Sequence, residues 1–220
     1  MCGILGTNTL DQFKELFEAN IERGNESAGI MMLNQDGFCV KRFLTQPDDD
    51  DLDWCCWDPC NNYHYILGHC QSATGDRVAS DETTHPFEND NWVVAHNGVI
   101  QNIDILEKRC GVKVDVDSKI ILELLNESNE YTASPAEAIV DTCSLLKGTF
   151  GLWVYHKPSN RLFITRQGST IYVGDGSFSS ACTKSTPECL PEGAVKELTI
   201  EPKWKLAGTF QPKSPFYIPI

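Results

Sequence analysis

The sequence predicts an α+β domain built on antiparallel sheets. Strand-like apolar runs gather at both ends of the chain, and a few helical segments occupy the middle. From Thr149 onward, short strands alternate with turns rather than with helices.

Taken in order, Ile4 to Thr7 is short, apolar and β-like. Between Asp11 and Arg23, Phe13, Leu16, Phe17 and Ile21 share one helical face, and Gly24 closes the segment. Ala28 to Leu33 and Phe38 to Phe43 are apolar runs separated by Asn34-Gln35-Asp36-Gly37, a hairpin signal. Pro47 to Asn62 breaks the pattern. With the run Asp48 to Asp51 it reads as an exposed acidic loop, expected to be the most mobile stretch. Tyr63 to His69 and Trp92 to His96 are strand-like, and Asn97-Gly98 between apolar runs is a turn signal.

Ile103 to Cys110 is a short helix ended by Gly111, and another begins at Lys119 after Asp117-Ser118. Ser134-Pro135-Ala136-Glu137 is a capping box with proline at its first helical position, opening a helix to about Leu146. Phe150 to Tyr155, the turn Lys157 to Asn160, Leu162 to Thr165 and Thr170 to Val173 follow. There is no internal repeat, low-complexity tract or interdomain linker. Residues 2–220 therefore read as a single domain, with 201–220 a Pro-rich, partly apolar tail through Trp204, Phe210, Phe216 and Tyr217.

The 220 residues are 41% apolar, enough to bury a core at this length. Thirty-one acidic against 18 basic residues give a net charge of −13, which repels phosphate backbones and speaks against nucleic-acid binding. No apolar run approaches the roughly 20 residues that span a bilayer. A basic, then apolar export signal is missing, since Asp11 arrives too early for one. The expectation is a cytoplasmic protein with no membrane partner. Its ten cysteines then read as reduced thiols. Cys55, Cys56 and Cys60, beside Trp54 and Trp57, fit no zinc spacing, and neither metal nor cofactor is expected.

Four segments place small or polar residues at the end of a predicted strand. They are Met1-Cys2-Gly3-Ile4, Arg23-Gly24-Asn25-Glu26-Ser27-Ala28-Gly29, Gly68-His69-Cys70-Gln71-Ser72-Ala73-Thr74-Gly75 and His96-Asn97-Gly98. Each alone is unspecific: Asn-Gly is usually only a turn, and Arg23 suits a helix C-terminus. In this order, however, they resemble the glutamine amidotransferase domain of class II. His85-Pro86, Val116-Asp117-Ser118 and Leu146-Lys147-Gly148-Thr149-Phe150-Gly151 add matches in sequence order. That family includes the glutaminase halves of amidophosphoribosyltransferase, asparagine synthetase and glucosamine-6-phosphate synthase, the last being nearest. The resemblance runs from Cys2 to about Gly176.

The resemblance implies the N-terminal nucleophile hydrolase fold, a four-layer αββα sandwich of two antiparallel sheets. It implies a glutaminase that cleaves the side-chain amide of glutamine through a Cys2 thioester. Because the family is commonly fused to the synthase that consumes the ammonia and this sequence ends at Ile220, the expectation is a free-standing domain that passes ammonia to a separate synthase or ligase subunit. Once Met1 is removed, Cys2 carries its own base, because a free α-amine has a pKa of about 7.7–8.0. Asn97 and Gly98 inherit the oxyanion donors, Asp117 the contact to the substrate α-ammonium, Thr74 a place in the pocket, and Arg23 the ordering of the nucleophile's surroundings. As alternatives, Asp117 or Ser118 caps the following helix, and His85 is a packed loop residue.

The chain departs from the family at Gln71, where an arginine usually forks onto the substrate α-carboxylate. Losing a charge-assisted bond of roughly 1.5–3 kcal/mol weakens binding about 10- to 150-fold. Weak affinity, compensation by Arg77, or a substrate without a free carboxylate would each answer this. Ser72 replaces a bulkier aromatic, and Glu26 stands where aspartate is frequent. Two alternatives therefore stay open. One is a stand-alone amidohydrolase acting on another γ-glutamyl or carboxamide compound; the other is a catalytically degenerate binding or regulatory module.

Overall fold

The pairings between named strands are all antiparallel, and they form two sheets, so the α+β class expected from the sequence is the class observed. The computed structural model describes residues 2–34, 37–52, 64–72 and 78–213, with the backbone alone at 49 and 50. In chain order its elements are β1 (Gly3–Thr7), α1 (Leu10–Ile21), β2 (Ser27–Asn34), β3 (Gly37–Phe43), the single-turn α2 (Asp49–Leu52) and β4 (Tyr65–Gln71). Then come β5 (Phe87–Glu88), β6 (Trp92–Ile100), α3 (Ile103–Cys110), α4 (Lys119–Asn129), α5 (Pro135–Leu145), β7 (Gly148–His156) and β8 (Arg161–Gln167). The short strands β9 (Tyr172–Val173), β10 (Phe178–Ser179) and β11 (Glu188–Cys189) precede β12 (Ala194–Leu198) and β13 (Trp204–Thr209). Two compact units result, the first from Met1–Pro86, Ile171–Cys189 and Glu201–Lys203, the second from the remainder. No helix among the described residues is long and apolar enough to cross a membrane.

In the first unit the strand order is β11-β9-β10-β1-β4-β2-β3. Helix α1 buries Phe13, Leu16 and Phe17 against Leu5, Ala28, Ile30, Met32 and Ile66, the alternate residues of β2 supplying one face. Each such side chain contributes about 1.5–3 kcal/mol relative to exposure. The helix comes closest at Gly3, where a β-carbon would lie 2.5 Å from Asn20 Oδ1. Asn20 in turn donates from Nδ2 to Leu16 O (2.7 Å) and Ser179 Oγ (2.8 Å). The acidic stretch read as loop contains α2, where Asp51 N donates to Asp48 Oδ1 at 2.9 Å and Leu52 is buried. A self-capped turn with one apolar anchor leaves no periodic signal. Residues 53–63, with Cys55, Cys56 and Cys60, lie outside the described residues.

In the second unit the order is β13-β12-β8-β7-β6-β5. Helices α4 and α5 bury Ile120, Ile121, Leu124, Leu125, Ala138 and Ile139 with Val94, Leu152, Val154 and Phe163 of the sheet. The capping box forms: Glu137 N donates to Ser134 Oγ (3.3 Å) and Ala133 N to Glu137 Oε2 (2.9 Å). Gly111 ends α3 in the left-handed conformation, φ 71°.

Two sequence expectations change here. Asn97-Gly98 is no turn; β6 runs on to Ile100 with β7 opposite it throughout. Gly98 takes a φ of 151° within the strand, so the glycine serves a close strand crossing rather than a reversal. The segment read as a tail contains β13, paired with β12, and Phe210 packs its ring 5.8 Å from that of Phe150. Residues 214–220 lie outside the described residues.

Candidate active site

Cys2 sits one residue before the first paired position of β1, Gly3 opposite Cys70. It is half-buried, its thiol donates to Ser72 O (3.6 Å), and its carbonyl accepts from Arg23 Nε (3.3 Å). The strand behind it is clamped by Ser180. Ile4 N donates to Ser180 Oγ (3.1 Å), and Ser180 N donates to Ile4 O (2.8 Å). The turn after α1 closes on the end of β4, because a β-carbon at Gly24 would be 2.6 Å from Cys70 O, and Glu26 N donates to Gln71 O (3.0 Å). A glycine is required there by close approach alone. Cys70, by contrast, is fully buried, and burial, followed by the charge of Cys2, pushes its thiol far up. Cys2 is the more exposed of these two thiols.

Gln71 follows on β4 with its amide turned to the protein. Nε2 donates to Thr83 O (2.9 Å), while Oε1 accepts from His85 N (3.2 Å) and lies 3.1 Å from His85 Nδ1. The His85 ring stacks on that of buried His69 with centroids 4.0 Å apart. His85 thus has the packed setting read for it from the sequence.

In the second unit, Asn97 and Gly98 lie opposite Gly151 and Phe150. The Asn97 carbonyl accepts from Ser169 Oγ (2.9 Å), and a β-carbon on Gly98 would collide with the Thr149 carbonyl. Asp117 is turned toward this strand: Ile100 N donates to its Oδ2 (2.9 Å), and Ser118 Oγ donates to Oδ1 (3.4 Å). Its side chain stays 30% exposed, leaving carboxylate surface for a cation. Ser118 makes no side-chain bond to the end of α4, so the capping alternative fails at this residue; its hydroxyl is 2.9 Å from His96 Nδ1.

His96 is wholly buried beside Asn97, and burial lowers its pKa against the opposing pull of Asp117 and of the Thr149 carbonyl. Unfolding returns the ring to about 6.5, so below that pH the unfolded chain takes up a proton that the folded chain refuses. Stability is therefore intact above pH 6.5 and declines as pH falls toward the lower folded value. The expected slope from this ring is at most about 1.4 kcal/mol per pH unit. Thermal melts between pH 7.5 and 5.5 check it, with His96→Gln giving the shallower decline.

Of the residues singled out in the sequence, Cys2, Arg23 and Gln71 gather at one end of the first sheet. Asn97, Gly98 and Asp117 gather on β6 and the approach to α4. Thr74 lies outside the described residues, as does Arg77. The sequence carried no sign of Ser180, 176 positions from Ile4, nor of the Ser72 carbonyl facing the thiol.

No family model matches the chain. It is similar to the glutamine–fructose-6-phosphate aminotransferase (isomerizing) of Aquifex aeolicus, 30% identical over 221 residues that cover 90% of this chain and 36% of that protein. The Helicobacter pylori protein of the same name is 27% identical over 225 residues, covering 91% of this chain and 36% of its own. The chain thus spans about a third of the length of these curated relatives. Among solved structures, it matches the glutamine phosphoribosylpyrophosphate amidotransferase from B. subtilis with a TM-score of 0.70 at 16% identity, over 93% of this chain and 49% of that one. A glutamine aminotransferase class-II domain protein from Silicibacter pomeroyi matches with a TM-score of 0.60 at 13% identity, over 95% of this chain and 99% of its own. These structural likenesses establish the fold.

Proposed function

The chain belongs to the class II glutamine amidotransferase domains of the N-terminal nucleophile hydrolase fold, and from that premise we propose that it is a glutaminase acting through Cys2. The observation that carries this reading is the setting of Cys2, half-buried ahead of β1, with Arg23 on its carbonyl and Ser72 O on its thiol.

In the proposed reaction Met1 is absent, and the free α-amine of Cys2 takes the thiol proton. The sulfur bonds to the amide carbon of glutamine, and the resulting oxyanion accepts hydrogen bonds from the Asn97 side chain and Gly98 N. Such donors are worth about 2.7–4 kcal/mol each when aimed correctly. The carbon–nitrogen bond then breaks, the amine returns its proton to the leaving ammonia, and a γ-glutamyl thioester remains. Water attacks that carbon and the carbon–sulfur bond breaks, releasing glutamate. Asp117 holds the substrate α-ammonium, and Arg23 orders the surroundings of the nucleophile. Residues 2–220 act as one catalytic domain, and the ammonia passes to an amidating partner.

The test is intact-protein mass before and after a glutamine-analogue electrophile. The expected result is loss of the Met1 mass and one adduct on Cys2; retained Met1, or an adduct elsewhere, sinks the mechanism. Asp117→Asn is expected to raise the glutamine KM about 10- to 150-fold through loss of one charge-assisted bond. Steady-state kinetics check this, and an unchanged KM would remove Asp117 from the pocket.

A second reading is favoured by one observation. Residue 71 is a neutral glutamine whose amide faces Thr83 and His85, which suits a carboxamide substrate lacking a free α-carboxylate. Comparing glutamine with its α-amide separates the two.

A further inference from the structure

The segment from Ser80 to Pro86 is pinned to the sheet of the first unit at four places. Arg42 donates from Nε to Thr84 O (3.1 Å) and from one terminal nitrogen to Pro86 O (2.5 Å). His85 stacks on His69. A β-carbon on Gly29 would collide with the His85 carbonyl, so β2 admits the segment only through that glycine. The fourth pin is Gln71, which bonds Thr83 and His85 from the end of β4 that also carries Ser72.

We infer that Gln71 is a positioning residue: its amide latches Ser80–Pro86 to β4 and so holds the Ser72 carbonyl against the Cys2 thiol, and it is not a ligand of the substrate carboxylate. The role rests on the glutaminase reading, but the latch itself does not.

The chemistry of the two partners sets the orientation of the amide. Thr83 O only accepts, so the nitrogen faces it; His85 N–H only donates, so the oxygen faces that. His85 Nδ1 also lies 3.1 Å from Oε1. One N–H is left, a single neutral donor that cannot match a carboxylate bidentately. Further along the same backbone, Gln71 O accepts from Glu26 N, and Gly24 packs on Cys70 and Ser72. The carbonyl that receives the thiol is thus fixed from both sides of the strand.

Neither common replacement reproduces this pattern. Glutamate sets an oxygen against Thr83 O, and arginine offers nothing for His85 N–H to bond. In Gln71→Glu and Gln71→Arg, kcat for glutamine is expected to fall about 10- to 100-fold, as for a displaced nucleophile, with KM within about twofold. The pH profile of Cys2 alkylation by iodoacetamide should shift in both. Hydrogen exchange at the His85 amide, protected in the unaltered chain, should speed up in Gln71→Arg and in Gln71→Met, the latter an apolar variant of similar length that keeps the fold. A tenfold fall in KM for Gln71→Arg would make residue 71 a carboxylate ligand and overturn the inference. So would unchanged exchange at His85 in Gln71→Met. If the unaltered chain releases no glutamate, the glutaminase reading fails, while exchange at His85 still decides the latch.

Discussion

Cys2→Ala is expected to abolish glutamate release, a loss on the order of 10⁶-fold in kcat, as when a covalent nucleophile is removed from a cooperating set. The fold should hardly notice. The thiol is half-buried and its bond to Ser72 O is long, 3.6 Å, and losing a weak hydrogen bond costs about 1 kcal/mol or less. Thermal melting should therefore fall by no more than about 2–4 °C while activity and analogue labelling vanish together. Cys2→Ser is the informative partner. A hydroxyl is a far weaker acid and a poorer nucleophile than a thiol of pKa about 8.5, so even with the α-amine as general base the serine variant should keep only a small fraction of the turnover. Residual turnover in the alanine variant would mean that another group attacks. Cys70 would not be that group, because its thiol is buried and pushed far up.

Gly98→Ala is expected to damage stability and catalysis together, costing about 3–5 kcal/mol from an unfavourable φ added to overpacking. The φ of 151° lies where side chains are strained, and the new methyl would meet the Thr149 carbonyl. Thr149 is a backbone neighbour on the paired strand, so relief requires parting β6 from β7. Gly37→Ala and Gly111→Ala are the controls. Both glycines also have positive φ, 146° and 71°, but a β-carbon there meets nothing within 4 Å. Those variants should lose only about 1–2 kcal/mol, the cost of the dihedral angle without the collision. Urea denaturation of the three decides whether space or dihedral angle dominates. If Gly98→Ala melts like the controls, the strand crossing is looser than its geometry indicates, and Gly98 N is not rigidly held.

How far the sequence could be read differs from element to element. Helix α1 was legible because Phe13, Leu16 and Phe17 recur at helical spacing and all are buried. The helix at Pro135 was legible because a capping box is a local device whose donors and acceptors lie within five residues. Strands β9 to β11 were barely legible, being only two residues long each. Strand β13 was hidden because its burial is slight and its composition Pro-flanked. Asn97-Gly98 misled for a definable reason: a positive-φ glycine serves a hairpin turn and a tight strand crossing equally well, and composition does not tell them apart.

The sequence by itself determined the chemical groups on offer and their order: a cysteine at position 2, an Asn-Gly pair, an aspartate before a helix, and a glutamine where an arginine is usual. It also determined most apolar faces, since burial follows periodicity along the chain. Only the tertiary structure decided what those groups touch. Ser180 grips Ile4 across 176 positions, Gln71 turns to Thr83 and His85, and Ser118 faces His96 instead of capping its helix. Such bonds join residues distant in the chain, and each depends on strand register. A shift of one residue reverses every side chain, and no local pattern records that choice.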